Sequence, residues 1–251
     1  MKPLKWYRNL ATKKGRIEAG AFLIEGDRAI KQMISNNPDA IVEIISTEEL
    51  SPSYRNYSKR LITDSQLRSI GSTKTPQGII AVVRLPMDTY SDQLPDNIGP
   101  KILLLEDVQD PGNVGTLIRT AVAFAFSGVI LTEKCADPLS PKCVQSTAGT
   151  VLSLWLRRTS HYLGLVEELK YNGYSLVAAD LNGEEDPSVL QCQNKLLLAL
   201  GNEASGLSRS ILKASNYRLR IPTIRERVES LNVAACGAIC IYLSHHKYGG
   251  L

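Results

Sequence analysis

Hydrophobic and polar positions along the 251-residue chain fall into two patterns. In the first third, short apolar runs alternate with helical periodicity. Phe22-Leu23-Ile24 reads as a strand, 27–34 as a helix with Ala29, Ile30 and Met33 apolar, and 41–46 as a second strand. Asp64 is expected to cap a short helix ending near Ile70, and Thr75-Pro76-Gln77-Gly78 turns the chain into a strand at 79–83. Farther on, apolar runs recur at 102–105, 129–131, 176–179, 196–200 and 219–221, with helical patterns at 114–125, 162–171 and 231–243. Buried strands alternating with helices predict a parallel sheet covered on both faces. Residues 86–100 hold Pro86, Pro95, Gly99 and Pro100 without periodicity and are expected as a linker. The predicted organisation is a small α/β domain (1–85), a linker (86–100) and a larger α/β domain (101–251).

Composition narrows the class. Hydrophobic residues make up 43% of the chain, a globular value. The longest uncharged apolar run, 233–243, is about half of what a membrane span needs, so no membrane association is expected. Five cysteines, an odd number without a Cys-x-x-Cys pair, and no signal peptide lead to the expectation of a reduced cytoplasm. Charge is uneven: residues 1–85 carry 14 basic and 8 acidic side chains, and Lys2, Lys5, Arg8, Lys13, Lys14 and Arg16 cluster at the start without an acid. That segment, with Trp6 and Tyr7 interleaved, suits a nucleic-acid backbone; a solvated basic helix is the plain alternative.

Three polar islands interrupt the apolar pattern of the second domain. The first, Asp110-Pro111-Gly112-Asn113, joins a strand to a helix whose apolar stripe is Val114, Leu117, Ile118, Ala121, Val122 and Ala125. Asn113 sits at a good N-cap position, and Arg119 lies roughly 130° from the stripe's centre. Alone, this is a capped helix with a solvated arginine. The second island, Gly201-Asn202-Glu203-Ala204-Ser205-Gly206, follows a fully apolar strand. It has neither the Lys-Ser/Thr of a Walker loop nor a Gly-x-Gly-x-x-Gly pattern. The third comprises Ile221-Pro222 and Ser230-Leu231-Asn232, before a helix apolar nearly all round and therefore expected to be buried. Asn232, one turn into that helix, needs a partner for its amide. Strand ends of open α/β sheets are where ligands bind.

Taken in this order, the islands resemble the SpoU-type RNA 2′-O-ribose methyltransferases of the knotted SPOUT superfamily. Asn113 and Arg119 match the first motif, Gly201-Asn202-Glu203 with Gly206 the second, and Pro222 with Ser230-Leu231-Asn232-Val233-Ala234 the third. The first 85 residues resemble the family's ribosomal-protein-like substrate-binding domain through 22–26 and 75–78. The resemblance implies a C-terminal parallel-sheet domain with a trefoil knot, which periodicity does not predict, and a homodimer formed through that domain. It implies S-adenosylmethionine held by Leu200, Gly201, Ile221 and Leu231, and methyl transfer to a ribose 2′-OH, in ribosomal RNA ahead of transfer RNA. Its catalytic residues would be Asn113, Arg119, Glu203, Ser230 and Asn232. Arg16, Arg28 and Lys74 lie in or beside the matching N-terminal segments and are candidate RNA contacts.

The resemblance gives Arg119 the part of a base, near Ser230. A guanidinium keeps its proton in proteins, which favours gripping a phosphate and stabilising developing oxyanion charge. The rival from another class is a non-catalytic RNA-binding or ribosome-assembly protein on the same fold. Hydrolysis through a nucleophilic serine is disfavoured: His161, His245 and His246 are the only histidines, and no Gly-x-Ser-x-Gly occurs. Cys240 with His245 and His246 has poor metal spacing, and no metal is expected.

Overall fold

The computed structural model describes residues 2–73, 76–184, 186–224, 226–227 and 230–245. Two compact units emerge, one made of 1–87 with 137–153, the other of 88–136 with 154–251. The segment 137–153 thus belongs to the first unit although it interrupts the second in the chain.

The first unit opens with two short helices, α1 (Leu4–Asn9) and α2 (Lys13–Ala19). Its sheet has the order β1-β4-β2-β3, from β1 (Ala21–Glu25), β2 (Ile41–Ser46), β3 (Lys59–Leu61) and β4 (Ile79–Arg84). Helices α3 (Asp27–Asn36) and α4 (Asp64–Ile70) join these strands, and α6 (Pro141–Thr147) packs near β1. Thr63, not Asp64, caps α4: its hydroxyl accepts from Gln66 N–H while the Gln66 side chain returns to the Thr63 N–H.

The basic N-terminal segment folds as α1 and α2 onto the first unit's core. Tyr7 is buried and donates its hydroxyl to Glu43 at 2.7 Å, and Trp6 packs against the core formed by Leu10, Leu23, Ile45 and Ile80. Arg16 is 2% exposed, pairs with Asp137 at 2.9 Å and donates to the carbonyls of Leu10 and Ala11. Its guanidinium is consumed inside the unit, so the expectation of an RNA contact at Arg16 is corrected. Arg28 is exposed at the start of α3, and Lys74 lies outside the described residues.

The second unit holds six parallel strands in the order β10-β8-β9-β5-β6-β7. They are β5 (Lys101–Leu105), β6 (Gly128–Thr132), β7 (Trp155–Thr159), β8 (Ser175–Ala179), β9 (Leu196–Leu200) and β10 (Tyr217–Leu219). Helices α5 (Pro111–Ala123), α7 (Tyr162–Tyr171), α8 (Arg209–Ala214) and α9 (Val233–His245) accompany them. Strands β5 and β9 are apolar and almost wholly buried, as expected for the centre of a sheet covered on both faces. Each such leucine contributes about 1.5–3 kcal/mol through burial. From β5 the chain builds outward through β6 and β7 in one direction, and β9, β8 and β10 occupy the other side. The switch point therefore lies between β5 and β9.

The proline-rich stretch 88–100 is not free. Trp155 donates its indole N–H to Ile98 O at 2.8 Å, Arg157 donates to Gln93 O and pairs with Asp88, and Leu94 and Ile98 pack on the core. Helix α9 also departs from expectation. Ala235, Ile239 and Tyr242 recur along it as an exposed stripe, with Ile239 38% and Tyr242 45% exposed. Beside the stripe, the Phe124 ring meets Tyr242 edge to face at 5.9 Å.

Candidate active site

The loops that leave β5, β8, β9 and β10, with the start of α9, converge on one region of the second unit. After β5, Asp110 caps α5 by accepting from the Asn113 N–H at 3.0 Å. The N-cap is therefore Asp110, and Asn113 stands in the first helical turn, its side chain released for other work. That side chain donates to Glu203 Oε1 at 2.7 Å and accepts from Asn232 Nδ2 at 3.2 Å. Asn232 caps α9 rather than lying within it: its Oδ1 accepts from the Ala234 and Ala235 N–H groups. One amide thus satisfies a helix terminus and still reaches Asn113. Three expected site residues, 90 and 119 positions apart from Asn113, form one hydrogen-bonded chain.

The loop after β9 is closed on itself. Asn202 and Gly206 exchange backbone hydrogen bonds at 3.1 and 2.9 Å. The Asn202 side chain accepts from the Ala204 and Ser205 N–H groups and donates to Asp107 O at 2.9 Å. Asn202 therefore builds the loop, while Glu203 is exposed at its tip. Gly201 is required by close approach: a Cβ there would stand 2.3 Å from the Gly206 carbonyl carbon. Gly206 takes a positive φ of 67°, which favours glycine.

A cavity of about 250 Å³ opens against this loop. All four residues expected to hold a cofactor, Leu200, Gly201, Ile221 and Leu231, line it, as do Glu203 and Ser230. Asn113, Arg119 and Asn232 are not part of its wall. Arg119 is exposed on α5 and makes no hydrogen bond or ion pair with the described residues. Apolar side chains and loop backbone dominate the wall, and its charged members are Asp180 and Glu203, without a lysine or arginine among the described residues. Asp180 is itself held by Arg218, whose Nε donates at 2.9 Å. Such a wall suits a neutral or cationic ligand with a flat apolar portion, not a polyphosphate.

Several cavity residues escaped the sequence. Ala179, Asp180, Leu181 and Asn182 follow β8, and Thr223 follows Ile221. A polar turn behind an apolar strand was the available signal for Asp180. Cys236 also faces the cavity; a hydrogen bond from the Cys240 thiol lowers its pKa, and the same contact with burial raises that of Cys240. Among the described residues, no cluster of three metal-ligating side chains exists, and no helix is long and apolar enough to cross a membrane.

Known proteins share this architecture. The profile of the SpoU rRNA Methylase family matches residues 100–242, and that of the MRM3-like substrate binding domain matches residues 2–81. The chain is 30% identical over 243 residues to the 23S rRNA (guanosine(2553)-2′-O)-methyltransferase RlmP of Bacillus subtilis, covering 95% of this chain and 94% of that protein. It is 29% identical over 254 residues to the 23S rRNA (uridine(2479)-2′-O)-methyltransferase of Streptomyces viridochromogenes, covering 95% and 87%. The crystal structure of the SpoU methyltransferase AviRb from that organism, in complex with AdoMet, superposes with a TM-score of 0.82 at 27% identity over 96% of both chains. With its α/β fold, its parallel sheet and its ordered motifs, the chain belongs to the SpoU rRNA methylase family.

Proposed function

We propose that this protein transfers a methyl group from S-adenosylmethionine to a ribose 2′-OH of ribosomal RNA, acting as a homodimer whose second unit carries the family's trefoil knot. The observation that carries this function is the junction of two features. The cavity lined by Leu200, Gly201, Ile221 and Leu231 adjoins the Asn113–Glu203–Asn232 chain through Glu203, which belongs to both. Relatives named as 23S rRNA 2′-O-methyltransferases and a neighbour solved with AdoMet support the substrate class and the cofactor.

The cavity fits the cofactor on chemical grounds. Apolar side chains can receive a purine ring, loop amides and carbonyls can take its polar edge, and a wall with carboxylates and no described cation accepts a sulfonium. Bound there, S-adenosylmethionine supplies an electrophilic methyl group. The chain's own contribution is positioning, worth the most in an in-line displacement. Glu203 fixes Asn113, and Asn113 fixes Asn232, so each amide has a set orientation toward an incoming ribose. Ser230 adds a hydroxyl at the cavity wall. Arg119, whose donors have no partner among the described residues, grips the target phosphate and stabilises charge developing on the 2′-oxygen.

The RNA is held by the first unit, where Lys2, Lys5, Arg8, Lys13, Lys14 and Arg28 are exposed. The exposed stripe of Ala235, Ile239 and Tyr242 supports α9 as part of the dimer interface, since a monomer gains nothing from leaving those side chains in water. The function is tested by incubating the purified protein with radiolabelled S-adenosylmethionine and ribosomal or transfer RNA. Products are then mapped by resistance to alkaline cleavage, which a 2′-O-methyl group confers. Label on ribosomal RNA at one alkali-resistant position is expected. Cofactor binding without transfer to any RNA would favour a non-catalytic binder, and label on a base would reject ribose as the acceptor.

A further inference from the structure

Beneath the second-island loop lies a carboxylate that the proposed mechanism does not use. Glu106 follows the last residue of β5 and is 4% exposed. Its Oε1 accepts from the Tyr162 hydroxyl at 2.8 Å, and its Oε2 accepts from the Ser208 N–H at 2.7 Å. Neither partner is a cation, and none of the described residues forms an ion pair with it. A buried carboxylate without a counter-charge is costly, and here it is offset by the two donors it satisfies.

The position of the two bonds gives that cost a use. The loop from Gly201 to Ser208 is attached to β5 at both ends. At its start, the Glu106 N–H donates to Leu200 O at 2.9 Å and Asn202 Nδ2 donates to Asp107 O at 2.9 Å. At its finish, Glu106 Oε2 holds the Ser208 N–H. Between these attachments stand the cavity wall 200–207 and Glu203, bonded to Asn113 on the helix that follows the same β5 end. Asp107 is rigid in turn: its φ is +58°, its N–H donates to Thr132 Oγ1, and its Oδ1 accepts from that hydroxyl at 2.7 Å. The loop's finish is also held by the Asn202–Gly206 backbone pair, by Leu207 in the core and by Ser208 as the cap of α8, and Glu106 Oε2 is the side-chain acceptor that ties this finish to the end of β5.

We propose that Glu106 is a positioning residue for methyl transfer. It acts through Ser208 and Tyr162 to hold the β9 loop in the shape that receives the cofactor and presents Glu203 to Asn113. The inference rests on the proposed cofactor cavity and adds a determinant outside it.

The test compares wild type with Glu106→Gln and Tyr162→Phe. Glutamine keeps the volume but turns an N–H₂ toward one of the two donors. Tyr162→Phe removes one bond and leaves Ser208 held. Calorimetric titration with S-adenosylmethionine should give a Kd raised about tenfold in Glu106→Gln and about two- to threefold in Tyr162→Phe. Hydrogen exchange at the Ser208 amide should accelerate in Glu106→Gln. Leu197→Ala, a core truncation in β9, serves as the stability control and should lower the melting temperature with cofactor Kd unchanged. An unchanged Kd in both Glu106→Gln and Tyr162→Phe, with melting lowered as in the control, overturns the inference and leaves a purely structural carboxylate. If Glu106→Gln does not fold, an unchanged Kd in Tyr162→Phe overturns it. Absence of cofactor binding by the wild-type protein removes the proposed function itself, an outcome separate from either.

Discussion

Gly201→Ala offers a sharp test of how the cofactor cavity is built. A Cβ at this position would lie 2.3 Å from the Gly206 carbonyl carbon, 2.5 Å from its oxygen and 2.5 Å from the Leu207 nitrogen. All three are backbone atoms, so no rotamer change relieves the clash. Ordinary contact requires the two limbs of the loop to separate by about 1 Å. That separation breaks the pair of backbone bonds between Asn202 and Gly206, at about 1 kcal/mol each. Residual crowding adds on the order of 1 kcal/mol. The total of about 3 kcal/mol falls largely on the loop, because Leu200 before it is locked in the sheet. A binding-competent loop populated that much less often weakens cofactor affinity on the order of 100-fold. Calorimetry with S-adenosylmethionine measures the loss, and Gly206→Ala is the comparison. There a Cβ meets nothing within 4 Å, and only the left-handed φ is strained, at about 1 kcal/mol. Equal affinities for Gly201→Ala and wild type would show that the loop's close approach has no part in binding.

Three further outcomes are expected. Arg119→Lys keeps the charge but loses the planar fork, so methyl transfer at saturating RNA should fall at least about 100-fold with cofactor Kd unchanged; near-normal turnover would reduce Arg119 to a simple cation. Asp137→Ala leaves the Arg16 guanidinium buried without its carboxylate and should destabilise the first unit by about 3 kcal/mol in urea unfolding, while a loss below about 0.5 kcal/mol would contradict the pairing. The Tyr162 hydroxyl is pushed up to about 12, first by burial and then by its bond to Glu106. Its folded pKa exceeds the unfolded value near 10, so stability present below pH 10 should decline from pH 10 to about 12; Tyr162→Phe should lose that decline, and an identical alkaline profile would refute the assignment.

Elements were legible wherever burial was paid for with apolar side chains alone. The central strands β5, β6, β8 and β9 stood out for that reason, as did α5 and α7. Strand β7 did not, because Arg157 and Arg158 interrupt it. Arg157 is nevertheless 4% exposed, its charge met by Asp88 and by the carbonyls of Gln93 and Leu156. A buried arginine carries no periodic signal, and its partners lie in the stretch expected as a linker. Arg16 misled for the same reason: a cation in a basic run looks solvated until Asp137, 121 residues away, is brought to it. Trp6 and Tyr7, aromatics in a basic run, suit either a nucleic-acid contact or a solvated basic helix, and only packing shows that Tyr7 is buried and that Trp6 lies against the core.

The site shows the same division. Motif positions identified Asn113, Glu203 and Asn232 by residue type, but their union depends on which donor caps each helix. Asp110 takes the cap of α5 and so leaves the Asn113 amide for Glu203. Asn232 caps α9 with its oxygen and so keeps its nitrogen for Asn113. Reversing either choice would dissolve the chain. Arg119 stands outside it, six residues farther along α5, with no protein partner among the described residues. A structural arginine of this fold finds acceptors, as Arg16 and Arg157 do. Arg119, on the same helix as Asn113 and without an acceptor among the described residues, keeps its donors for a ligand that arrives with its own negative charge. The phosphate beside a target ribose has that charge. The proposed clamp rests on that availability together with the motif position of Arg119 on the helix that begins at the polar chain, and the Arg119→Lys comparison decides it.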